Sequence, residues 1–179
     1  MALTFEKGTW TGSGSSPQTI TLTAGTLTPI ALICWTTGPG AVGFSATSIF
    51  SKGFATRRGG ATQSGCVGFI NIDNVATSDS ARIRDTTLLS ILSSTSVIDY
   101  TVSLSSFAAG QFVVTYSSAA NASGDIFHYV VIGGTDATDA IVINQVMDAI
   151  SGQEVITGAG FKGNVLFGLD SDLATTATI

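Results

Sequence analysis

The one histidine, His128, sets the terms for acid–base chemistry in this chain of 179 residues. General-base and triad mechanisms need an imidazole within hydrogen-bond reach of a nucleophile, with a carboxylate behind it. His128 lies inside the apolar run Ile126 to Ile132. Strand alternation there puts Ile126, His128, Val130 and Ile132 on one face and Phe127, Tyr129 and Val131 on the other. Asp125 or Asp136 is the available orienter and any of many serines the available nucleophile, but no GxSxG elbow brings them together. The histidine therefore reads as structural or as part of an interface. Asp136, Asp139, Asp170 and Asp172, in GGTDATD and LDSD, suit a Ca²⁺ loop in type but lack the glycine and terminal glutamate of an EF-hand. They read as solvated turn residues, with Asp136 to Asp139 also suited to capping a helical turn. Gly133-Gly134 lacks the later glycine and the lysine of a phosphate loop. Cys34 and Cys66 have no metal-ligand or redox spacing; two buried thiols are expected, a single bridge being the other arrangement. No catalytic residue, cofactor or metal site is expected, and the chain does not read as an enzyme.

The remaining polar chemistry suits contact. Arg57-Arg58-Gly59-Gly60 has the guanidinium pair and the open backbone to clamp a phosphate or carboxylate. The simpler reading is an exposed loop that pairs with acids on a neighbouring subunit. Arg82 and Arg84 lie in Asp79-Ser80-Ala81-Arg82-Ile83-Arg84-Asp85, an alternating strip. Exposed ion pairs contribute about 0–1 kcal/mol each, so such a strip sets register more than strength. With Lys52, these arginines are the cations expected at an interface. Trp35, in a fully apolar run, is expected in the core. Core is the commoner fate for Trp10 as well, but beside a Gly/Ser-rich stretch it is the tryptophan placed to meet a partner or a sugar ring.

Composition points toward association. The chain is 44% hydrophobic and only 11% charged, against about a quarter charged in ordinary soluble domains. Its surface must be covered largely by Ser, Thr, Gly and Ala. Low charge leaves little repulsion between molecules, and a partner or further copies of the chain are expected to cover part of that surface. The net charge of −5 divides unevenly: through Ile72 four cations face Glu6, and from Asp73 onward three cations face eleven acids. That division suits side-by-side or head-to-tail packing. An acidic chain with scattered cations is unsuited to nucleic acid. Nothing approaches the roughly eighteen apolar residues of a membrane helix. Met1 to Trp10 has no apolar core of a signal peptide, so synthesis in a cytoplasm is expected, with no membrane partner.

Short strands must position these residues. Leu3 to Thr11, broken at Gly8, Gln18 to Thr23, Ile30 to Thr36, Val42 to Phe54 and Cys66 to Ile72 all have strand character. Ile30 to Thr36 is apolar on both faces and predicts a fully buried strand. The two glycines of Val42 to Phe54 predict a bulge or the close approach of another backbone. Gly12 to Pro17 reads as a flexible turn segment and Ala55 to Gly65 as a loop. Asp73 to Asp85 is polar; Ala81 to Arg84 fits a helical turn or an edge strand. Thr86 to Ser93 reads as strand, with a short helix the alternative, and Val97 to Leu104 as strand. Gln111 to Thr115 and Ile126 to Ile132 are expected as an antiparallel central pair, followed by strands at Ala140 to Val146, Glu154 to Thr157 and Asn164 to Leu169. Sliding the chain on itself sets Leu22-Thr23 over Ile156-Thr157, Leu27 over Phe161, Pro29 over Gly163 and Ala31-Leu32-Ile33 over Val165-Leu166-Phe167. Such a repeat would make the two ends of the chain sheet partners. The expectation is an all-β fold, an antiparallel sandwich or jelly-roll-like single domain over 1–179, with 1–17 and 170–179 as flexible or partner-bound ends.

Several of these segments, in this order, resemble one protein family. A strand-GxxP-strand opening is followed by GF-rich strands, the RRG of Arg57 to Gly59 and the DxxRxRD of Asp79 to Asp85. Then come Ser106 to Val114 (SFAAGQFVV), His128 to Asp136 (HYVVIGGTD) and Gly160 to Phe167 (GFKGNVLF). The series, covering most of the chain, resembles virion structural proteins of tailed bacteriophages. Gly163 stands where the more usual pattern has proline. The resemblance implies a non-enzymatic part of the virion, and the expected role is a capsid decoration or cement protein. Its expected partners are the major capsid protein and further copies of itself, as a homotrimer. The alternative is a tail or fibre module that binds host-surface carbohydrate.

Overall fold

Alternating apolar and polar residues pay off as two sheets that share one core. The protein is described here from a computed structural model, which covers residues 3–39, 47–72, 79–145, 157–160 and 166–168. The described residues form β1 (Thr4–Thr11), β2 (Gln18–Thr21), β3 (Pro29–Pro39), β4 (Thr47–Arg58) and β5 (Ala61–Ile72). The series continues with β6 (Asp79–Asp85), β7 (Leu89–Ser94), β8 (Val97–Ala108), β9 (Gln111–Tyr116) and β10 (Asp125–Gly133). No helix occurs among them. One sheet has the order β1-β10-β3-β4-β5-β6 and the other β2-β9-β8-β7, and the pairings are antiparallel. Inward residues of both, from Trp10, Leu32, Cys34 and Phe127 on one side to Val102, Phe112 and Val114 on the other, merge into a single cluster. The fold is a β-sandwich.

Two glycines let the sheets close. Gly53 on β4 and Gly68 on β5 face inward, and the backbone at the start of β7 crosses directly over them. A Cβ at Gly53 would stand 2.0 Å from the Leu88 carbonyl oxygen, and one at Gly68 would stand 2.5 Å from that of Ser90. The close backbone approach expected of the glycine-bearing strand is therefore real, and the approaching segment is the entry to β7.

Several expectations need correction. The two apolar runs expected as a central pair lie in different sheets: β9 pairs with β2 and β8, whereas β10 pairs with β1 and β3. The connection between them folds into tight turns, with Ala122 N–H donating to Ser118 O and Ser123 N–H to Ala120 O, and buries Ala122 completely. Gly12 N–H then donates to Asp125 O and Gly124 N–H to Gly12 O, which ties the entry of β10 to the end of β1. The N-terminal segment is accordingly no loose end. β1 runs unbroken through Gly8 and pairs with β10 along its whole length. The expected loop at Ala55 to Gly65 is a hairpin instead: Arg58 pairs with Ala61, and Gly59 and Gly60 take φ of 58° and 85°, which suits a two-residue primed turn. β3 buries only alternate residues, Leu32, Cys34 and Thr36, because its other face is the outside of the sandwich. Asp79–Asp85 takes the edge-strand alternative and Leu89–Ser94 is strand. Residues 140–145 form no strand; they run beside the β5–β6 end of the sheet, where Asn144 Nδ2 donates to Ser64 O and Arg84 Nη1 to Gln145 O. The second copy of the internal repeat lies outside the described residues except for Thr157, Leu166 and Phe167, none of them in a strand. Residues 170–179 lie outside the described residues as well.

Candidate functional site

The polar groups inside the sandwich are used to tie it together. Trp10 Nε1 on β1 donates to Tyr116 Oη on β9 at 2.9 Å, and Tyr116 Oη donates to Gln18 Oε1 on β2 at 2.6 Å. Gln18 Nε2 returns to Thr11 O on β1 at 2.9 Å, closing a ring across both sheets. Burial pushes the Tyr116 phenol up to about 12. At the same end Tyr100 of β8 donates its hydroxyl to the Asp125 carboxylate of β10, and both groups are buried. A third network links β6, β7 and β4: Asp85 Oδ2 accepts from Ser90 Oγ at 2.7 Å and from Thr87 Oγ1 at 3.2 Å, and Ser90 N–H donates to Ser51 Oγ. Cys66 lies 3.7 Å from Thr87 Oγ1, with its thiol pushed up to about 11 by burial; that of buried Cys34 is raised too. A thiol held protonated is a poor nucleophile. Both cysteines are free and buried, the first of the two arrangements expected. Among the described residues no three of His, Cys, Asp and Glu converge as a metal site.

Asp125 yields a prediction with a defined sign. Desolvation raises its carboxyl above the usual value of 3.8, and the Tyr100 hydrogen bond only partly opposes this. A carboxyl with a raised folded-state pKa favours folding when protonated. That contribution is present below the usual value and is lost as pH rises through the folded value. Asp125→Asn keeps an acceptor for Tyr100 and removes the titration. Its melting temperature relative to the parent should therefore rise from about pH 3 to pH 7; a difference that falls with pH would show that Tyr100 favours the charged carboxylate over desolvation.

The outside of the six-stranded sheet differs in character from the interior. His128 is on it, as strand parity predicts, while Asp125 faces inward; the carboxylate cannot orient the imidazole. His128 pairs across the sheet with Trp35, their rings stacked at 10° with centroids 5.5 Å apart. Continuing across the strands, Trp35 pairs with Lys52, Lys52 with Val67, and Val67 with Arg84. The neighbouring row runs from Phe50 to Phe69 to Arg82, and Lys7 sits beside Val130 on the far side. Phe5, Phe50 and Phe69 are 54%, 39% and 37% exposed. The outward positions of these six strands include no aspartate or glutamate. Six strands at about 4.8 Å spacing make a band about 24 Å wide.

The expected interface residues divide between this face and elsewhere. Lys52, Arg82 and Arg84 come together on it. Trp10 does not: it is 7% exposed, stacked on Phe127 at 4.8 Å and edge-on to Phe112 at 5.6 Å, because β1 is held along β10 with Trp10 pointing inward. The tryptophan on the outside is Trp35, which is half-buried. Arg57 donates to Ser105 O at 2.6 Å, binding the end of β4 to the other sheet. Arg58 is held within its own chain, at 3.0 Å from Asp139 and 2.9 Å from Ala159 O. Asp139 is thus an ion-pair partner, and its Oδ1 also accepts from Ala140 N–H. Asp85, expected in an ion-pair strip, serves hydroxyls and a backbone amide. Sequence reasoning missed the Tyr100–Asp125 link; the available signal was that Asp125 shares strand parity with Phe127. No family model, curated protein or solved structure matches this chain.

Proposed function

We propose that this chain is a non-enzymatic structural protein of a tailed-bacteriophage virion, a capsid decoration or cement protein that bridges and stabilises major capsid subunits. The outer face of the six-stranded sheet carries this reading. Exposed Phe5, Phe50 and Phe69 with Lys7, Lys52 and Arg82 make an apolar, cationic surface that an isolated molecule has no use for. Apolar area of this kind contributes about 25 cal/mol per Å² when covered, and the cations select and orient an acidic partner. Edge cations alone would serve to prevent strand addition, but Lys52 lies on β4, between β3 and β5, where there is no edge to protect. The carbohydrate-binding alternative has less support: Trp10 is in the core, and Trp35 turns its ring face to His128, leaving little flat aromatic surface for a sugar.

The test is to purify virus particles from cells that make this chain and map them by electron microscopy. The sandwich is expected on the outside of the shell, in contact with several capsid subunits. Particles that lack the chain, or that carry it only at the tail, would overturn the assignment.

A further inference from the structure

Two polar atoms near the β4–β5 turn are buried, and neither has a hydrogen-bond partner among the described residues: Thr56 Oγ1 and Gln63 Oε1. Buried groups of this kind are as a rule satisfied by a protein atom or an ordered water. Thr56 is only 4% exposed, although it lies on the outward side of β4, where Ser48, Phe50, Lys52, Phe54 and Arg58 are exposed or half-buried. What covers it is the chain that follows β10. Phe54 meets the Phe167 ring at 6.3 Å between centroids, Arg58 reaches Asp139 and Ala159 O, and Asn144 lies against Gly65. Thr56 and Gln63 are directly opposed in the β4–β5 register, which sets their Cβ atoms about 4.5–5.5 Å apart. The two oxygens therefore lie side by side beneath that cover.

We infer that Thr56 and Gln63 form a binding site for one buried water, held between the hairpin and the segment that covers it. Hydrogen-bond chemistry selects the occupant. Gln63 Oε1 can only accept, so whatever binds must donate a hydrogen, and an anion is excluded. A hard cation takes about six to eight oxygens, carboxylates among them. Asp139, the carboxylate at this end, has both oxygens engaged, Oδ2 by Arg58 and Oδ1 by Ala140 N–H. Arg58 also stands two residues along the same face, about 7 Å away, and its positive charge opposes a second one. A water donates to Gln63 Oε1 and bonds the Thr56 hydroxyl in either sense, which provides the polar partners that a buried water needs. The site is independent of the virion assignment.

The test joins a crystal structure of the full chain to thermal melting of Thr56→Val, Gln63→Met and the double variant. A single density peak is expected at about 2.6–3.2 Å from both oxygens. The site would be overturned by no peak, by a shell of oxygens at about 2.3–2.6 Å as around a cation, or by either atom bonded directly to protein. Valine keeps the branched shape of threonine and removes the hydroxyl. Thr56→Val leaves the water and Gln63 short of a partner, and should lower the melting temperature by about 2–8 °C. The double variant leaves neither oxygen to satisfy, so its loss should be smaller than the sum of the two single losses. A dry, unpaired couple behaves oppositely: Thr56→Val alone would raise the melting temperature and the two substitutions would add, and that result would remove the water.

Discussion

Trp10→Ala should lower stability by about 3–5 kcal/mol, in the range of large aromatic truncations in cores. For a domain of this length that corresponds to a fall of about 6–20 °C in melting temperature. The indole lies against Phe127, Phe112 and Tyr129 and donates to Tyr116, so truncation leaves a cavity where strands of both sheets meet. Trp10→Phe separates packing from hydrogen bonding. It keeps most of the ring volume, and Tyr116 retains Gln18 as its acceptor, so the loss should be well under half that of alanine. Thermal unfolding by circular dichroism reads both. Equal losses for the two variants would place the main effect in the hydrogen bond; no loss in either would remove Trp10 from the core. Reduced binding to any ligand on Trp10→Ala would report unfolding before it reported recognition.

Gly53→Val is expected to match that loss by the opposite route. A Cβ at this position would meet the Leu88 carbonyl oxygen at 2.0 Å, the Cys66 Cβ at 2.7 Å and the Gly65 carbonyl oxygen at 2.8 Å. Two of the three obstacles are backbone, which cannot rotate aside, so one sheet must move relative to the other. Overpacking costs typically about 1–3 kcal/mol and occasionally more; with backbone as the obstacle, about 3 kcal/mol or greater is expected, or a fall of at least about 6 °C. Lys52→Ala, one residue away on the outer face, should stay within about 0.5 kcal/mol of the parent. If the two variants melted alike, the tight approach of β7 to β4 would be disproved.

Much of the interior was legible in advance, and the reason is parity. In Ile126 to Ile132 the alternation assigned Phe127, Tyr129 and Val131 to one face and His128 to the other, and burial follows it. Gly53 of β4 fits the close backbone approach that was one of the two readings of Val42 to Phe54, because only the absence of a Cβ permits one; Gly43, the other glycine of that reading, lies outside the described residues. Arg82 and Arg84 follow the same rule on β6, but the sequence left Ala81 to Arg84 open between a helical turn and an edge strand, so their common side was not assigned in advance. The expected loop at Ala55 to Gly65 failed because an isolated Gly59-Gly60 reads as a break, whereas between paired strands its positive φ values make the shortest hairpin.

Parity says which side a residue takes within its strand, and it carries no information about which strand lies beside which. That is why Gln111–Tyr116 and Asp125–Gly133, neighbours in sequence and alike in pattern, went to different sheets once the turn around Ala122 was buried. It is also why Trp35 was expected in the core, whereas it lies half-buried on the outer face, and why Trp10, although core was the favoured reading, was still the tryptophan offered to a partner. The amino-acid sequence by itself determined an all-β chain, its buried thiols and the inward or outward side of most strand residues, since these depend on local alternation and side-chain chemistry. Only the tertiary structure decided that Lys7, Lys52, Arg82 and Arg84 share one surface with Phe5, Phe50 and Phe69. These residues lie on β1 and on β4, β5 and β6, and the hydrogen-bonded order β1-β10-β3-β4-β5-β6 is what sets them on one sheet face.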